Sequence, residues 1–155
     1  IFIVGFLKKN TNKEFKFPKP KNLTTLVGDI LQIEETIDKK YIISDKLWSG
    51  HKRRKRENKI KGKGFGYGLF SANSSYTNTI SARYYKDGSE VLISRGDGKN
   101  PRKLTPRECA NLQGFPKSFK LNNSDNQAYR QFGNSVSVPV IKAIALKMID
   151  YIKKN

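Results

Sequence analysis

The clearest structural signal in this sequence lies at residues 102–116, which read RKLTPRECANLQGFP. Thr105 is a typical N-cap residue, Pro106 follows at the first helical position, and Glu108 completes the pattern of a capping box. Gly114 is the residue type that most often ends a helix, because it adopts the left-handed backbone conformation without steric cost. These residues predict one short helix with a well-defined start and end.

Further elements are predicted on both sides of this helix. Residues 127–136, QAYRQFGNSV, follow a polar loop. A last helix is predicted from Pro139 onward, with an apolar face made of Ile141, Ile144, Ala145, Met148 and Ile152. Residues 1–6, IFIVGF, are dense in β-branched and aromatic residues, which predicts a central strand. Because this strand would start at the first residue, with no segment before it, we expect the sequence to be a fragment of a longer chain. Residues 15–20 alternate and then contain proline, which predicts an edge strand or an extended loop.

The middle of the chain carries weaker signals. Apolar residues at helical spacing predict a helix within residues 22–37. Residues 77–85 and 90–93 are rich in strand-forming side chains and flank the turn-forming pair Asp87-Gly88. This arrangement predicts a β-hairpin.

The composition indicates the partner. The chain has 155 residues, about one domain, and 31 basic against 13 acidic side chains give it a net charge of +18. A polyanion, most often nucleic acid, is the expected partner of such a chain. Codon usage in an AT-rich genome is an alternative explanation for the total charge, but it does not explain the cluster at residues 52–63. Because no apolar period runs through that cluster, we expect a solvated face or loop.

Several classes of site and protein are excluded. A single cysteine, Cys109, rules out an intramolecular disulfide and a thiolate zinc cluster. A single histidine, His51, argues against a histidine-based metal site, so we expect no metal. No apolar run approaches the ~20 residues that span a bilayer, so we expect no membrane partner.

A glycine-rich segment follows the basic cluster. Residues 62–68 read GKGFGYG, which alternates glycine with Lys, Phe and Tyr. Glycine removes side-chain bulk and lets the backbone approach a ligand closely. A bulged or hairpin segment with exposed aromatic side chains is the alternative. A P-loop is excluded, because no Gly-Lys-Ser/Thr follows.

These stretches resemble a known family. Residues 102–116 are similar to conserved block IX of the DNA cytosine-5 methyltransferases, and residues 127–136 are similar to block X, in the family's order. Residues 64–68 and 81–88 most resemble the recognition domains of Dcm-type bacterial enzymes. Residues 1–6 resemble the strand that follows a Gln-x-Arg-x-Arg block. The resemblance covers essentially the whole chain, but only the C-terminal part of the family's enzyme.

The resemblance implies an α/β fold. The chain would be the C-terminal part of a doubly wound methyltransferase fold, contributing one strand and the last helix, and it would carry a small, mostly β target-recognition subdomain. Residues 1–20 would end the catalytic-domain sheet and residues 21–101 would form the target-recognition domain. Residues 102–117 would form the block IX hinge helix. Residues 118–155 would hold block X and the C-terminal helix that returns to the catalytic domain.

The implied reaction transfers a methyl group from S-adenosylmethionine to carbon 5 of a cytosine flipped out of duplex DNA, in a bacterial restriction-modification system. The family's nucleophile is the cysteine of a Pro-Cys pair, which this sequence lacks, and Cys109 is expected to be a buried packing residue. The family's Gly-rich cofactor loop and Glu-Asn-Val block are also absent. We therefore expect no catalytic residue in this chain and no activity of the chain alone. S-adenosylmethionine would be bound mainly by a missing N-terminal catalytic half or subunit, in the bacterial cytoplasm at the nucleoid.

The candidate DNA-binding residues come from the basic cluster, the glycine-rich segment and the strand predicted after it. They are Arg53, Arg54, Lys55, Arg56, Lys61, Lys63, Phe65, Gly66, Tyr67, Thr79, Ile80, Ser81 and Arg83. The cations of the cluster would contact phosphates, and the other residues would read base edges in the major groove. A surface ion pair is the alternative role for Arg83, and sheet packing is the alternative for the neighbouring tyrosines.

The resemblance also implies that Asn134 and Ser135 lie beside the cofactor. The alternative is that these two residues cap the final helix. For the whole chain, the alternatives are a stand-alone basic nucleic-acid-binding module, one subunit of a split methyltransferase, or a decayed remnant without a working partner.

Overall fold

The computed structural model describes residues 1–7, 14–20 and 24–153. They belong to two compact units, one made of Ile1–Leu23 and Val136–Asn155 and the other of Thr24–Ser135. The described residues form α-helices α1 (Asp45–Ile60), α2 (Pro106–Leu112), α3 (Asp125–Asn134) and α4 (Val138–Lys153). Short 3-10 helices occupy Val27–Ile30, Glu34–Thr36 and Lys39–Tyr41.

A small mixed sheet lies in the Thr24–Ser135 unit. Its strands, in sheet order, are β1 (Leu69–Phe70), β2 (Leu92–Ile93) and β3 (Arg102–Lys103). β1 runs parallel to β2 and β3 runs antiparallel to it, so that Leu69 and Lys103 lie on either side of Leu92. This combination of a mixed sheet and helices agrees with the expected α/β class.

Two buried tyrosines organise the core of this unit. The rings of Tyr84 and Tyr129 meet edge to face, with centroids 5.3 Å apart. The Tyr84 hydroxyl donates to the carbonyl of Val91 at 2.6 Å and accepts from the backbone N–H of Leu104 at 2.8 Å. The Tyr129 hydroxyl donates to the carbonyl of Leu104 at 2.6 Å. Both backbone polar groups of Leu104 are therefore satisfied immediately before the N-terminus of α2, where an unpaired buried group would destabilise the fold.

Helix α2 begins as the sequence predicts. The Thr105 hydroxyl accepts from the backbone N–H of Glu108 at 3.1 Å, and the Glu108 carboxylate accepts from the N–H of Thr105 at 2.8 Å. Gly114, after the end of the helix, has a φ of 76°. Cys109 is fully buried in the core, as expected of a packing residue.

A buried ion pair connects β3 to α2. Arg102 and Glu108 are 1% and 0% exposed, and their side chains form two hydrogen bonds of 2.8 and 3.0 Å. The Nε of Arg102 donates to Glu34 at 2.7 Å, so the guanidinium serves two carboxylates. Charge-assisted bonds with this paired geometry fix orientation as well as contributing energy.

The predicted β-hairpin is wrong. Residues 82–87 form successive turns, in which the N–H groups of Tyr84, Lys86 and Gly88 donate to carbonyls three or four residues earlier. The Ser81 hydroxyl also accepts from the N–H of Arg83 at 3.1 Å. Because these local bonds occupy the backbone groups that a hairpin would use, β2 pairs with β1 and β3 instead.

The helix predicted within residues 22–37 is replaced by the first two 3-10 helices. The N–H groups of Val27 and Gly28 donate to Ser74 and Ala72, each at 2.8 Å. These long-range bonds compete with α-helical bonding at the start of the segment.

The unit made of Ile1–Leu23 and Val136–Asn155 begins with a segment that forms no hydrogen-bonded strand within the described part of the chain. The strand expected at residues 1–6 would pair with a sheet completed outside this chain, so it stays a prediction. Phe6 and Phe15 pack against Tyr151 of α4, with ring centroids 4.5 and 5.7 Å from that of Tyr151. Helix α4 confirms the predicted last helix. Of its predicted apolar face, Ile144 is buried whereas Ile152 is largely exposed.

Candidate nucleic-acid interface

The basic cluster forms most of helix α1, which the sequence analysis did not predict. The Ser44 hydroxyl caps its N-terminus by accepting from the N–H of Leu47 at 3.3 Å. Two aromatic side chains on one side of the helix contact other segments of the chain. The ring of Trp48 meets that of Tyr67 edge to face, with centroids 4.7 Å apart. His51 is buried, with its Nε2 3.3 Å from the carbonyl oxygen of Asp87. Residues 52–57 are all exposed, which confirms the expected solvated face.

The cations of α1 differ in how far they are neutralised. Arg53 lies 3.7 Å from Glu57, and Arg54 lies 3.2 Å from Asp87. Lys55 has no ion pair with the described carboxylates, but its ammonium donates to the carbonyl of Tyr67. The other three predicted cations of the cluster are exposed and form no ion pair with any carboxylate of the described residues: Arg56, on α1, and Lys61 and Lys63, which follow the helix. These three are therefore the cations best suited to bind an external anion.

Asp87 stabilises the contact between α1 and the turns that follow residue 81. Burial alone would raise the pKa of this carboxyl, but hydrogen bonds from Ser89 and Arg54 outweigh it and hold the pKa below its ordinary value. The ionised carboxylate thus stays paired with Arg54 and does not oppose the free cations.

The glycine-rich segment lies along the flank of α1. Gly66 has a φ of 73°, and a Cβ there would lie 2.7 Å from the Cβ of Lys55, so glycine is required by both conformation and space. The Lys55 ammonium lies 4.2 Å from the centroid of the Tyr67 ring and 3.4 Å from its carbonyl. Phe65 is 96% exposed. The structure therefore brings two of the predicted DNA-binding segments together and presents an aromatic side chain to solvent between two glycines.

An open groove joins this segment to the third predicted region. Its lining residues are Phe65, Gly66, Asn78, Thr79, Ser89 and Glu90. Thr79 is exposed in it, as a base-reading residue requires. Asn78 was missed by the sequence analysis, because its place in the groove depends on long-range contacts that leave no local pattern.

The remaining predicted residues of this region have different surroundings. Ile80 is 2% exposed and belongs to the core, so its side chain does not reach the groove; it anchors the backbone beside Thr79. The Ser81 hydroxyl donates to Glu90 at 2.5 Å. Arg83 is exposed and forms no ion pair with the described carboxylates, so the alternative of a surface ion pair is not observed.

Helix α3 reaches this region at its C-terminus. Gly133 packs so closely on the backbone of Ser81 and Ala82 that a Cβ would overlap it. Asn134 is the exposed last residue of α3, and the Ser135 hydroxyl donates to the carbonyl of Phe132 at 2.8 Å. These two residues therefore end α3 and do not cap α4, which begins at Val138.

A known protein family matches almost the whole chain. The model of the family described as "C-5 cytosine-specific DNA methylase" matches residues 1–150. The chain belongs to this family. The resemblance of blocks IX and X is thereby confirmed, and helices α2 and α3 of this methylase chain carry those two blocks.

Individual relatives of the chain are methyltransferases by name. The chain is 66% identical over 148 residues to the type II methyltransferase M.NlaX of Neisseria lactamica, covering 96% of the chain and 46% of that relative. It is 44% identical over 143 residues to a DNA-cytosine methyltransferase of Escherichia coli K12, covering 79% of the chain and 30% of the relative. The chain thus spans less than half the length of these curated relatives.

Solved structures support the fold. The crystal structure of the S. pombe Dnmt2 methyltransferase superimposes with a TM-score of 0.64 at 20% identity, covering 86% of this chain and 43% of that one. This confirms the expected partial methyltransferase fold. None of the helices in the described part of the chain has the length and apolar character needed to cross a bilayer.

Proposed function

We propose that this methylase chain is the DNA-recognising, C-terminal portion of an enzyme that methylates carbon 5 of a cytosine within a short duplex site. The observation that carries the proposal is an open groove with exposed Phe65 and Thr79 in its lining. The glycine-rich side of this groove packs at Gly66 against α1, the helix that carries the basic cluster. As in type II relatives, the methylation would protect host DNA in a restriction-modification system, and the enzyme would act on DNA in the bacterial cytoplasm.

The two kinds of DNA contact are divided between two surfaces. Arg56, Lys61 and Lys63 would bind phosphates, which gives affinity and steers association without reading sequence. The groove would meet base edges in the major groove, where each base pair presents a distinct pattern of donors and acceptors. Arg83, which has no carboxylate partner among the described residues, would add a bidentate contact to guanine.

The family uses S-adenosylmethionine as its methyl donor, and the residues at the end of α3 fit a limited part in binding it. The exposed carboxamide of Asn134 forms no hydrogen bond with the described residues, so it offers both donors and an acceptor. The Ser135 hydroxyl already donates to Phe132 and retains its acceptor capacity. Two such groups hold one edge of a ligand, so most of the cofactor site would be formed by residues outside this chain.

The covalent chemistry would also lie outside this chain. The sequence has no Pro-Cys pair, and Cys109 is fully buried. Burial raises the pKa of the Cys109 thiol well above its ordinary value, so the nucleophilic thiolate is strongly disfavoured there. The target cytosine, flipped out of the duplex, would be attacked by a cysteine of the catalytic half.

Two assays test the proposal. Fluorescence anisotropy with labelled duplexes is expected to show binding of the 155-residue chain that weakens steeply with salt, and radiolabelled S-adenosylmethionine is expected to give no methylated DNA. Adding the part of the Neisseria relative that this chain does not match should restore methyl transfer. Failure to bind duplex DNA, or methyl transfer by the chain alone, would overturn the proposal.

A further inference from the structure

The groove contains an amide whose orientation is fixed by hydrogen-bond chemistry. The Nδ2 of Asn78 donates to the backbone carbonyl of Glu90 at 3.0 Å. A carbonyl oxygen only accepts, so the nitrogen of the amide must face it and Oδ1 must be turned away. Asn78 is exposed, and its Oδ1 accepts no hydrogen bond from the described residues. The groove therefore presents one oriented, unused acceptor.

A glycine makes room for this arrangement. A Cβ at Gly68 would lie 2.5 Å from both the Nδ2 of Asn78 and the carbonyl oxygen of Glu90. The backbone of Gly68 is itself held by its bonds to Ser89 and Leu92, at 2.9 and 2.8 Å. The position of Asn78 is thus set by a fixed backbone, which is the condition for a side chain that discriminates between bases.

The one charged side chain among the lining residues of this groove is an acceptor as well. Glu90 is one of the lining residues, and its carboxylate accepts from the Ser81 hydroxyl. A carboxylate on a lining residue disfavours phosphate and favours hydrogen-bond donors. In the major groove of duplex DNA, the base donors are the N4 amino group of cytosine and the N6 amino group of adenine.

We propose that Asn78 is a specificity-determining residue whose Oδ1 accepts a hydrogen bond from the exocyclic amino group of a cytosine or an adenine in the recognition site. The proposal rests on the DNA-recognition function proposed above and adds the class of base edge that the groove reads. Phe65 and Thr79 also belong to the wall against which that base pair would lie.

The test combines a side-chain deletion with deletion of single amino groups from the DNA. Duplexes are first selected from a randomised library by the wild-type chain. In the preferred duplex, each adenine or cytosine is then replaced singly by the analogue that lacks the amino group. Anisotropy titrations compare the wild type with Asn78→Ala and with Asn73→Ala, whose side chain is exposed and does not line the groove.

At one position, loss of the amino group is expected to weaken DNA binding by the wild type and by Asn73→Ala by about 2- to 12-fold, which corresponds to the energy of one hydrogen bond. The affinity of Asn78→Ala is expected to stay unchanged at that position. Equal losses for all three proteins at every position would overturn the inference while leaving DNA recognition intact. Absence of any selected sequence would instead contradict the proposed function. The wild-type titrations alone refute the inference if no amino group matters, so the test does not depend on the stability of Asn78→Ala.

Discussion

Replacing Gly133 by alanine is expected to destabilise the fold, although alanine is the better helix former. A glycine inside a helix is normally less stable than alanine by about 1 kcal/mol. At Gly133, however, the added methyl group would overlap the carbonyl carbon and oxygen of Ser81 and the backbone nitrogen of Ala82. These are backbone atoms, so they cannot rotate away as a side chain could. Overpacking of this kind costs roughly 1–3 kcal/mol.

A matched control lies in α1. A Cβ at Gly50 meets nothing within 4 Å, so Gly50→Ala has no steric cost and gains about 1 kcal/mol of helix propensity. For a unit of this size, a change of 1 kcal/mol moves Tm by roughly 4 °C. Thermal and urea unfolding followed by circular dichroism should therefore give opposite signs for the two variants. The reasoning is refuted if Gly133→Ala unfolds at the same temperature as Gly50→Ala or above it.

Three further outcomes follow from the charged groups. Glu108→Ala should lower the urea-unfolding free energy by about 3 kcal/mol or more, because it leaves the buried Arg102 with a single carboxylate partner, the half-exposed Glu34. A loss below about 1 kcal/mol would contradict this. The pKa of Asp87 is depressed in the fold, so its ionised form stabilises above about pH 4 and that stabilisation disappears as the pH falls. The urea midpoints of the wild type and Asp87→Asn should therefore converge between pH 6 and pH 3, and a constant gap would refute the assignment. In DNA titrations at varied salt, Arg56→Ala should reduce the magnitude of the slope of log K against log salt by about 0.9. Arg54→Ala should reduce it less, because the charge of Arg54 is shared with Asp87. The reverse order would count against the phosphate-binding role of Arg56.

Local hydrogen bonding explains which elements the sequence could predict. The start of α2 was predictable because Thr105 and Glu108 satisfy each other's backbone N–H groups within one turn, independently of the rest of the chain. The hairpin prediction failed because the Ser81 hydroxyl and successive turn bonds outcompeted the strand preference of the residues around Tyr84. Helix α1 escaped prediction because only a narrow side, around Trp48 and His51, is docked, so its sequence shows no apolar period.

The candidate interface was predictable in part for a related reason. Charge clustering and glycine alternation are local patterns, and they identified Arg56 and Phe65. The burial of Ile80 and the orientation of Asn78 depend on what lies across the fold, such as the carbonyl of Glu90, and no spacing in the sequence records that.

The two tyrosine hydroxyls that bind Leu104 have a consequence for building chimeric methylases. Because they hold backbone atoms, the contact does not depend on which side chain stands at position 104, and any apolar residue of similar volume would preserve it. Tyr84 and Tyr129 themselves have no substitute, since phenylalanine fills the same space but leaves an amide and a carbonyl unpaired. A recognition segment exchanged between relatives should therefore include both tyrosines and Leu104. The two hydroxyl groups and the backbone groups that they bind then come from the same protein.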